Sequence, residues 1–495
     1  MHNADWTSIK PTTVFACFAD ISNIPRGSGH EQAIGAYLMD FAASRNLNAQ
    51  QDRAGNVVIK KPASANAAHS HAVILQSHMD MVCAKKPDKQ FDFANQAIPV
   101  VHDGDWLRTD GTTLGADNGI GMAYALAILD EENGLPAIEA VFTVNEETGM
   151  DGALAFDANT LSGQTLINLD TEDEGVFCAS CCGGQDARIS LPLLMTPAAH
   201  NASWMRLGVA GLMGGHSGAE IHKGRGNAIR LLGRMLDRMT TGDNTVGIAE
   251  INGGTLHNAI PADAWADIAV PLDAMDTVAE QIEQWRSVFA GELRGAGETP
   301  ILTFLPVKPH AAVMTPDSAN AVLFGMAVLP HGVEAMEYDM PGRATVGTST
   351  NFAMMRQTGE TMTFTESIRS SLDSPRAMMA RRIERLALAM GGVFSAGAGY
   401  PGWTYDPDSR VREIFLQAYE RLNNGKKAIV EGIHAGLECG VFFRKFLDAG
   451  RKLDIVSFGP DIRNAHTPEE CANIPSIARV YELLLTGLRD IAKKG

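Results

Sequence analysis

The sequence predicts an α/β fold: a mostly parallel sheet with helices on both faces, split by an inserted α+β domain. Three observations predict it. Strand and helix patterns alternate up to about residue 190, shorter segments of period two begin near residue 186, and the first pattern returns beyond residue 402. Alternating strands and helices are typical of βαβ units and of a parallel sheet. We therefore expect residues 1–186 and 402–495 to form one domain and residues 187–401 to form an inserted one.

The elements of the first domain follow from local signals. Residues 28–31, with the sequence Ser-Gly-His-Glu, predict a capping box that opens a helix. The nearly all-apolar run 72–76 predicts a central strand that is covered on both faces. The predicted helices cover residues 12–19, 32–44, 119–131 and 409–422, and the predicted strands cover residues 56–60, 72–76 and 453–458.

The inserted domain contains two similar series of patterns. Residues 254–258 and 348–351 occupy matching places in the two series. We therefore expect two related α+β units side by side. The predicted strands cover residues 205–210, 262–271 and 361–369, and the predicted helices cover residues 224–239, 278–290 and 375–390.

The composition of the chain indicates which kinds of binding partner are excluded and in which cellular compartment the protein is expected. The 495 residues carry a net charge of −17, which argues against nucleic acid and anionic membranes as partners because either needs a basic surface. No apolar run approaches the ~18 residues of a membrane-spanning helix, and the sequence starts without a secretory pattern. Seven cysteines without a CxxC framework are typical of a reducing compartment. We expect a cytoplasmic protein.

Residues with metal-ligand chemistry stand where apolar runs end. Because the carboxyl ends of neighbouring parallel strands meet in one crevice, we expect these side chains to converge. Two imidazoles and three carboxylates favour a site for two divalent cations, zinc before Co²⁺ or Mn²⁺. The five residues are His78, Asp117, Glu147, Asp170 and His466.

The neighbours of these residues suggest further roles. Asp80 lies two positions beyond His78 on an extended segment, so both side chains point the same way and Asp80 can orient the imidazole. Glu146 precedes Glu147, and a carboxylate that stays free beside a metal site can act as a general base. Thr467 to Glu470 predict a second capping box, which places His466 at the rigid start of a helix.

The same segments resemble the metal-site signatures of the co-catalytic zinc peptidases, a family that includes aminoacylases, carnosinases and bacterial dipeptidases. The resemblance spans the whole chain and extends to residues 24–31, 214–218 and 434–438. Within the family, the chain is most similar to the bacterial dipeptidases that act on Xaa-His dipeptides such as β-alanyl-histidine. The metal-site blocks are Ser77-His78-Met79-Asp80, Gly115-Ala116-Asp117-Asn118-Gly119, Asn145-Glu146-Glu147-Thr148-Gly149, Asn168-Leu169-Asp170 and His466-Thr467-Pro468-Glu469.

The resemblance implies a role for each metal-site residue. Asp117 is expected to bridge two zinc ions, of which His78 and Asp170 hold one, while Glu147 and His466 hold the other. The implied reaction is the attack of a metal-bridging hydroxide on the peptide carbonyl.

The resemblance also implies the residues that surround the substrate. Glu146 is expected to be the general base and Asp80 the residue that orients His78. His216, in the inserted lid domain, matches a histidine that polarises the substrate carbonyl. The grips for the charged ends of the substrate are expected to be Asn258 and Arg369 for the carboxylate and Glu438 for the ammonium. For Arg369, a solvated charge at a strand end is the alternative.

The expected function is therefore that of a di-zinc dipeptidase acting on a small peptide. An N-acyl-amino-acid amidohydrolase or a tripeptide aminopeptidase with the same metal site is the enzyme alternative, and a non-catalytic peptide-binding protein is the remote one. The doubled lid favours dipeptides because it can enclose a small substrate. It can also supply the lid histidine in cis, so a homodimer is compatible with catalysis but is not required for it.

Overall fold

A computed structural model describes residues 2–3, 6, 9–241, 246–338, 340 and 344–494. The contacts within the chain define two compact units. Unit 1 contains Met1–Cys181, Trp403–Gly432 and Leu437–Gly495, and unit 2 contains Cys182–Gly402 and Ile433–Gly436. The boundaries predicted from the sequence lie at 186/187 and 401/402, with residues 433–436 in the first domain. That these segments are separate domains stays a prediction.

Unit 1 combines helices with a large and a small sheet, and elements are numbered in chain order through both units. Its helices are α1 (Thr12–Ser22), α2 (Gln32–Ser44), α3 (Ala116–Asp130), α4 (Glu146–Gly149), α5 (Asp151–Ala155), α10 (Arg410–Leu422), α11 (Glu438–Asp448) and α12 (Ile474–Lys494). Its strands are β1 (His2–Asn3), β2 (Asn48–Gln51), β3 (Val57–Lys61), β4 (Val73–His78), β5 (Val101–Asp103), β6 (Trp106–Arg108), β7 (Ile138–Thr143), β8 (Thr165–Asn168), β9 (Val176–Cys181), β21 (Ile429–Ile433), β22 (Asp454–Ser457), β23 (Ile462–Arg463) and β24 (Cys471–Asn473).

The large sheet of unit 1 has the strand order β2-β3-β7-β4-β8-β22-β9-β21. The four central strands β7, β4, β8 and β22 are parallel, whereas β2, β3 and β9 pair antiparallel with their neighbours. Only residues 52–56 separate β2 from β3, too few for the crossover that parallel pairing requires. Every residue of β4 and β7 is buried, so the centre of the sheet is covered on both faces. The predicted α/β class is confirmed, with parallel pairing at the centre of the sheet.

The carboxyl edge of these parallel strands carries most of the predicted site. β4 ends at His78, β7 ends three residues before Glu146, and β8 ends two residues before Asp170. The chain that leaves β22 reaches His466 after a short excursion through β23. Because the strands are neighbours, these side chains meet at one edge of the sheet.

Both predicted capping boxes are wrong. Helix α2 has no side-chain cap at Glu31, whose Oε1 instead accepts the N–H groups of Gly29 (3.0 Å) and Asn145 (2.9 Å). No helix begins at Thr467, because α12 starts at Ile474. A local motif cannot distinguish a carboxylate that caps its own helix from one that binds backbone far away in the sequence.

Unit 2 is built on a nine-stranded antiparallel sheet and a separate β11-β16 pair. Its helices are α6 (Ala228–Thr240), α7 (Met275–Glu292), α8 (Pro316–Val328) and α9 (Asp373–Ala389). Its strands are β10 (Gly183–Pro192), β11 (Met195–Pro197), β12 (Ala202–Ala210), β13 (Gly247–Gly253), β14 (Ala264–Pro271), β15 (Ile301–Pro306), β16 (Ala312–Met314), β17 (Gly332–Glu337), β18 (Thr345–Thr358), β19 (Thr361–Ser370) and β20 (Val393–Ala396).

The order of strands in this sheet identifies the two related units that the sequence predicts. The strand order is β15-β12-β14-β13-β18-β19-β10-β20. In each half of this order, from the outer edge to the centre of the sheet, the strands are the fourth, first, third and second of that half in chain order. Each half is a βαββαβ unit, with helices α6 and α7 in one and α8 and α9 in the other. The first unit is nested within the second, between β10 and α8. The prediction of two related α+β units is confirmed.

Each unit has its own apolar core. Phe15, Tyr124 and Phe142 are fully buried in unit 1, and Phe289 and Phe364 are fully buried in unit 2. None of the helices in the described part of the chain is both long and apolar enough to cross a membrane. Residues 1, 4, 5, 7 and 8, near the start of the chain where no secretory pattern is expected, lie outside the described residues.

Candidate active site

His78, Asp117 and Asp170 meet at the carboxyl edge of the unit 1 sheet. His78 ends β4, and its side chain is 1% exposed. Its Nε2 lies 3.1 Å from Oδ1 of Asp117 and 3.4 Å from Oδ1 of Asp170. The amide of Asn118 donates to Oδ1 of Asp170 and to the carbonyl oxygen of Leu169, so the start of α3 is tied to the end of β8.

His466 and Glu147 lie on the other side of Asp117. Nε2 of His466 is 3.0 Å from Oδ2 of Asp117 and 3.0 Å from Oε2 of Glu147. The two oxygens of Asp117 therefore face two different imidazoles. The backbone of His466 has a positive φ of 63°, a conformation that costs energy for a residue with a side chain and is often found at functional sites.

These side chains fit a site for divalent cations. One ligand atom from each of His78, Asp117 and Glu147 lies within 4.8 Å of the others. Oε1 of Glu147 is buried and has no hydrogen-bond partner among the described residues, so a ligand atom is available. Imidazole nitrogens and carboxylate oxygens are the donor set of zinc and of related borderline cations.

Asp80 links the two halves of this cluster. Its Oδ1 lies 3.3 Å from Nδ1 of His78, and its two oxygens accept the N–H groups of Glu146 (3.0 Å) and Glu147 (3.2 Å). The hydroxyl of Ser28 also donates to Asp80 (2.8 Å). Burial alone raises the pKa of Asp80, but the contact with His78 and the hydrogen bonds from Ser28 and Glu146 outweigh it and lower the pKa to about 2. Asp80 is therefore an ionised group that contacts both His78 and the first two N–H groups of α4, and its role in orienting His78 stays a prediction.

The charge balance of the cluster shifts several pKa values. Burial raises the pKa of Asp170 to about 6, against the effect of His78. Contacts with Asp117 and Glu147 raise the pKa of His466 to about 11. The shift of His466 comes from carboxylates, whereas that of Asp170 comes first from burial, and a divalent cation bound here would favour the ionised carboxylates in both places.

Glu146 occupies the first position of α4, after Asn145 in a left-handed conformation with φ of 56°. Burial raises the pKa of Glu146, and the nearby carboxylates of Asp170, Glu438 and Glu147 raise it further, while His78 lowers it. A carboxyl group with a raised pKa beside a metal site is suited to accept a proton and return it during turnover.

Glu438 lies in the interior of unit 1. It is fully buried at the start of α11, where its Oε2 accepts hydrogen bonds from the hydroxyl of Thr143 (2.6 Å) and the amide of Gln76. Burial raises its pKa to about 8. Gln76 continues through Asn168 (2.6 Å) to Ser457 (2.5 Å), a polar row across β4, β8 and β22. The predicted contact of Glu438 with a substrate ammonium stays a prediction.

Unit 2 brings together its three predicted site residues. His216 pairs with Ala259 in a short bridge, and the N–H of Ser217 donates to the carbonyl oxygen of Asn258 (2.8 Å). The guanidinium of Arg369 is close enough to His216 to lower its pKa. Arg369 is 6% exposed and donates to the hydroxyl of Tyr400 (3.1 Å), so it is not a solvated charge at a strand end.

Burial and Arg369 together lower the pKa of His216 to about 4, so the imidazole is neutral at pH 7. Its Nδ1 accepts the N–H of Ala219 (3.1 Å). The ring proton of the neutral form is therefore on Nε2, which is free to donate.

Several polar residues around these groups were not predicted from the sequence. In unit 2, His434 binds the hydroxyl of Ser349 (2.7 Å), and burial and Arg369 lower its pKa to about 3. In unit 1, Arg26 and Glu470 are almost completely buried beside the Asp117 segment. Both His434 and Arg26 lie in segments that carry the family resemblance, 434–438 and 24–31, which is a usable signal. A basic residue in a turn-like segment such as that of Arg26 is nevertheless usually exposed.

A second group of potential ligands occurs in unit 2. It consists of Glu250, Asp267 and His310. Arg206 donates to both oxygens of Asp267 (2.6 and 2.9 Å), and Nε2 of His310 lies 2.9 Å from Oδ2 of Asp267. Because the guanidinium already neutralises this carboxylate, we interpret the group as an ion-pair network.

Comparison with known proteins identifies the family. Residues 74–490 match the sequence model of Peptidase family M20/M25/M40. The chain belongs to this family. It is therefore a peptidase, and the family resemblance and the peptide-bond hydrolase predicted from the sequence are confirmed.

Several known proteins match the chain over nearly its full length. It is 35% identical over 492 residues to the cytosol non-specific dipeptidase of Escherichia coli (strain K12), covering 99% of this chain and 100% of the relative. The crystal structure of aminoacylhistidine dipeptidase from Vibrio alginolyticus superimposes with a TM-score of 0.85 at 34% identity, covering 98% of both chains. Aminopeptidase PepT from Bacillus cereus shares the fold, with a TM-score of 0.55 at 17% identity.

Proposed function

We propose that this chain is a cytoplasmic dipeptidase with two divalent metal ions, zinc in preference to Co²⁺ or Mn²⁺. Its proposed substrates are Xaa-His dipeptides, including β-alanyl-histidine. The full-length similarity to two enzymes named as dipeptidases supports the substrate class, and the name of the Escherichia coli relative supports the compartment.

One observation carries the proposal of two ions: the two oxygens of Asp117 face different histidines, His78 at 3.1 Å and His466 at 3.0 Å. A bridging carboxylate needs this arrangement. We assign Asp170 to the His78 side, at 3.4 Å, and Glu147 to the His466 side, at 3.0 Å.

In the proposed peptide hydrolysis, the divalent ions and the side chains of the protein have different tasks. His78, Asp117, Glu147, Asp170 and His466 would hold the divalent ions, which when bound would lower the pKa of a water molecule and polarise the peptide carbonyl. Glu146 accepts the proton of the attacking water and delivers it to the leaving amine. Asp80 orients His78 through the 3.3 Å contact between its Oδ1 and Nδ1 of the imidazole, and it holds the start of α4 through its hydrogen bonds with the N–H groups of Glu146 and Glu147.

Unit 2 supplies the proposed contacts with the substrate. Nε2–H of His216 donates to the substrate carbonyl oxygen as negative charge develops there. Arg369 and Asn258 bind the substrate carboxylate, and Glu438 of unit 1 binds the ammonium. A single chain contains every residue to which we assign a role, so a homodimer is compatible with the mechanism without being required.

The direct test is the release of histidine from β-alanyl-histidine by the purified protein. We expect turnover with bound metal, its loss on treatment with a chelator, and its recovery on addition of Zn²⁺. Parallel assays with an N-acyl amino acid and a tripeptide separate the two enzyme alternatives. An Asp117→Ala preparation, purified in the same way, measures contaminating host peptidases.

Two results contradict the proposal. Faster cleavage of the N-acyl amino acid or of the tripeptide replaces the dipeptidase with one of the alternative enzymes. Full activity after the removal of all divalent metal shows that the cluster around Asp117 is not the catalytic centre.

His216→Ala is expected to lower kcat by ~100-fold or more while both metal ions stay bound, as for the loss of an oxyanion donor. The KM for β-alanyl-histidine should change less, because the contact strengthens in the transition state. Steady-state kinetics with metal analysis measure both effects. His310→Ala, which alters a histidine of the Asp267 network in the same unit, is the matched control. Turnover of His216→Ala within a few-fold of the parent enzyme means that His216 does not act on the substrate.

A further inference from the structure

Arg26 is a cation buried directly behind the metal-site segments of unit 1. Its side chain is almost completely enclosed, with 2% of the residue exposed. Nη1 donates to the carbonyl oxygens of Met79 (2.9 Å) and Asp80 (2.8 Å), and Nη2 donates to the carbonyl oxygen of Gly115. One planar guanidinium therefore joins the segment that follows His78 to the segment that precedes Asp117.

The neighbouring backbone leaves space for this guanidinium. A Cβ atom on Gly115 would lie 2.6 Å from Nη2 of Arg26, and a Cβ on Gly119 would lie 2.7 Å from the same atom. Gly115 also has a φ of +70°, which a residue with a side chain rarely adopts. The absence of a side chain at Gly115 and Gly119, on either side of Asp117, therefore makes room for the guanidinium of Arg26.

The opposite side of the same segment is held by a buried carboxylate. Glu470 accepts the N–H groups of Leu114 (2.7 Å), Gly115 (2.9 Å), Ala116 (2.8 Å) and Asp117 (3.3 Å). The backbone before Asp117 is thus bound through its N–H groups by Glu470 and through a carbonyl group by Arg26. Leu114, Gly115 and Ala116 are all buried.

The charge of Arg26 also bears on the cluster of carboxylates. Burial lowers the pKa of Arg26, and the nearby carboxylates of Glu470, Asp80 and Asp117 oppose that shift. An arginine stays protonated across the working range of an enzyme. Arg26 therefore places a permanent positive charge behind Asp80 and Asp117, where metal-free carboxylates otherwise repel one another.

We propose that Arg26 is a positioning residue of the metal site, which fixes the distance between His78 and Asp117 through the three carbonyl groups it binds. The proposal rests on the metal-site roles assigned above. It gives a function to a residue that contacts neither a ligand side chain nor the substrate, and it predicts that metal affinity depends on Arg26.

The alternative to a positioning role is that Arg26 only cross-links the fold. The effect of metal binding on protein stability distinguishes these two roles. A cross-link that serves only the fold destabilises the metal-free and the metal-loaded protein equally. A positioning residue changes the affinity for the metal, so it also reduces the stabilisation that metal binding adds.

The test compares Arg26→Met and Arg26→Lys with the parent protein. Metal affinity is measured by competition between the protein and a chelator for Zn²⁺, and thermal unfolding is followed with and without Zn²⁺. We expect Arg26→Met to bind Zn²⁺ ~10- to 100-fold more weakly, as for other residues that orient metal ligands. Its Zn²⁺-dependent rise in Tm should shrink accordingly. Arg26→Lys keeps the positive charge but loses the planar guanidinium, so its affinity for Zn²⁺ should lie between those of the parent protein and Arg26→Met.

Gly119→Ala tests the same contact without altering Arg26. Its Cβ should displace the guanidinium and weaken Zn²⁺ binding, although contact with Phe18, 3.0 Å from the same Cβ position, adds a smaller structural effect. Combined with Arg26→Met, Gly119→Ala should add little, because the group it displaces is already absent. Additive losses in the double variant contradict the proposed coupling.

The outcomes separate this proposal from the proposed function. If the parent binds two equivalents of Zn²⁺ and Arg26→Met binds them within threefold of the parent, the inference on Arg26 is wrong and the dipeptidase proposal stands. The same holds if Tm falls equally with and without Zn²⁺. If the parent binds no Zn²⁺, both proposals are wrong.

Discussion

Glu146→Gln is expected to keep both metal ions and to lower kcat by at least ~100-fold, as for the loss of a general base. Glu146 is not among the assigned ligands, and its N–H, not its carboxylate, makes the hydrogen bond to Asp80. The substitution therefore leaves the backbone arrangement in place while it removes the group that takes up the proton. Metal analysis and steady-state kinetics on β-alanyl-histidine measure the two effects separately.

Two further variants make this result specific. Glu147→Gln changes the adjacent carboxylate and should lower metal content, because Oε2 of Glu147 faces His466 at 3.0 Å. Glu132→Gln, at an exposed position, should change neither metal content nor kcat. Near-normal turnover by a Glu146→Gln protein that holds two metals would remove Glu146 from the mechanism.

Asp117→Ala is expected to lose both metal ions and to reduce activity to that of the metal-free enzyme. A bridging carboxylate serves two ions at once, so its removal weakens both sites. His78→Ala removes a ligand of only one proposed ion and should retain more metal than Asp117→Ala. Elemental analysis of the purified variants measures the number of ions retained.

The control for Asp117→Ala is Asp110→Ala, which removes a carboxylate that is 73% exposed and paired with Lys89. It should keep two metal ions and full activity, because an exposed ion pair contributes little. Circular dichroism of each variant checks that the fold is intact. Two equivalents of metal in a folded Asp117→Ala protein would disprove the bridge.

The sequence predicts the edge of the sheet well because two independent signals coincide there. An apolar run such as 72–76 identifies a buried strand, and a polar residue at its end identifies the edge. His78, Asp170 and the Glu146–Glu147 pair all follow strands that the structure places side by side. Their grouping could be predicted because parallel strands present their carboxyl ends together.

Long-range partners of single side chains could not be predicted in the same way. Glu31 and Glu470 each stand in a segment that matches a capping box, yet each binds backbone N–H groups far away in the sequence. Arg26 lies in a turn-like segment, where a basic residue is usually solvated. The glycines at positions 115 and 119 stand in one of the metal-site blocks, but glycines near a helix start have several common explanations, so the sequence does not connect them with Arg26.

The nested order of unit 2 bears on how the chain folds while it is being made. The inner βαββαβ unit is synthesised completely before α8, β18 and β19. Strand β10 therefore cannot pair with β19 until the whole inner unit has been made. Strand β8 pairs with β22, the last strand of the parallel centre, and this pairing can form only later still. Distant pairings form late, and the N-terminal parts of a chain fold first where they can. His466 follows β22 in the chain, so the proposed metal site can be complete only after the last strand of the parallel centre has been synthesised.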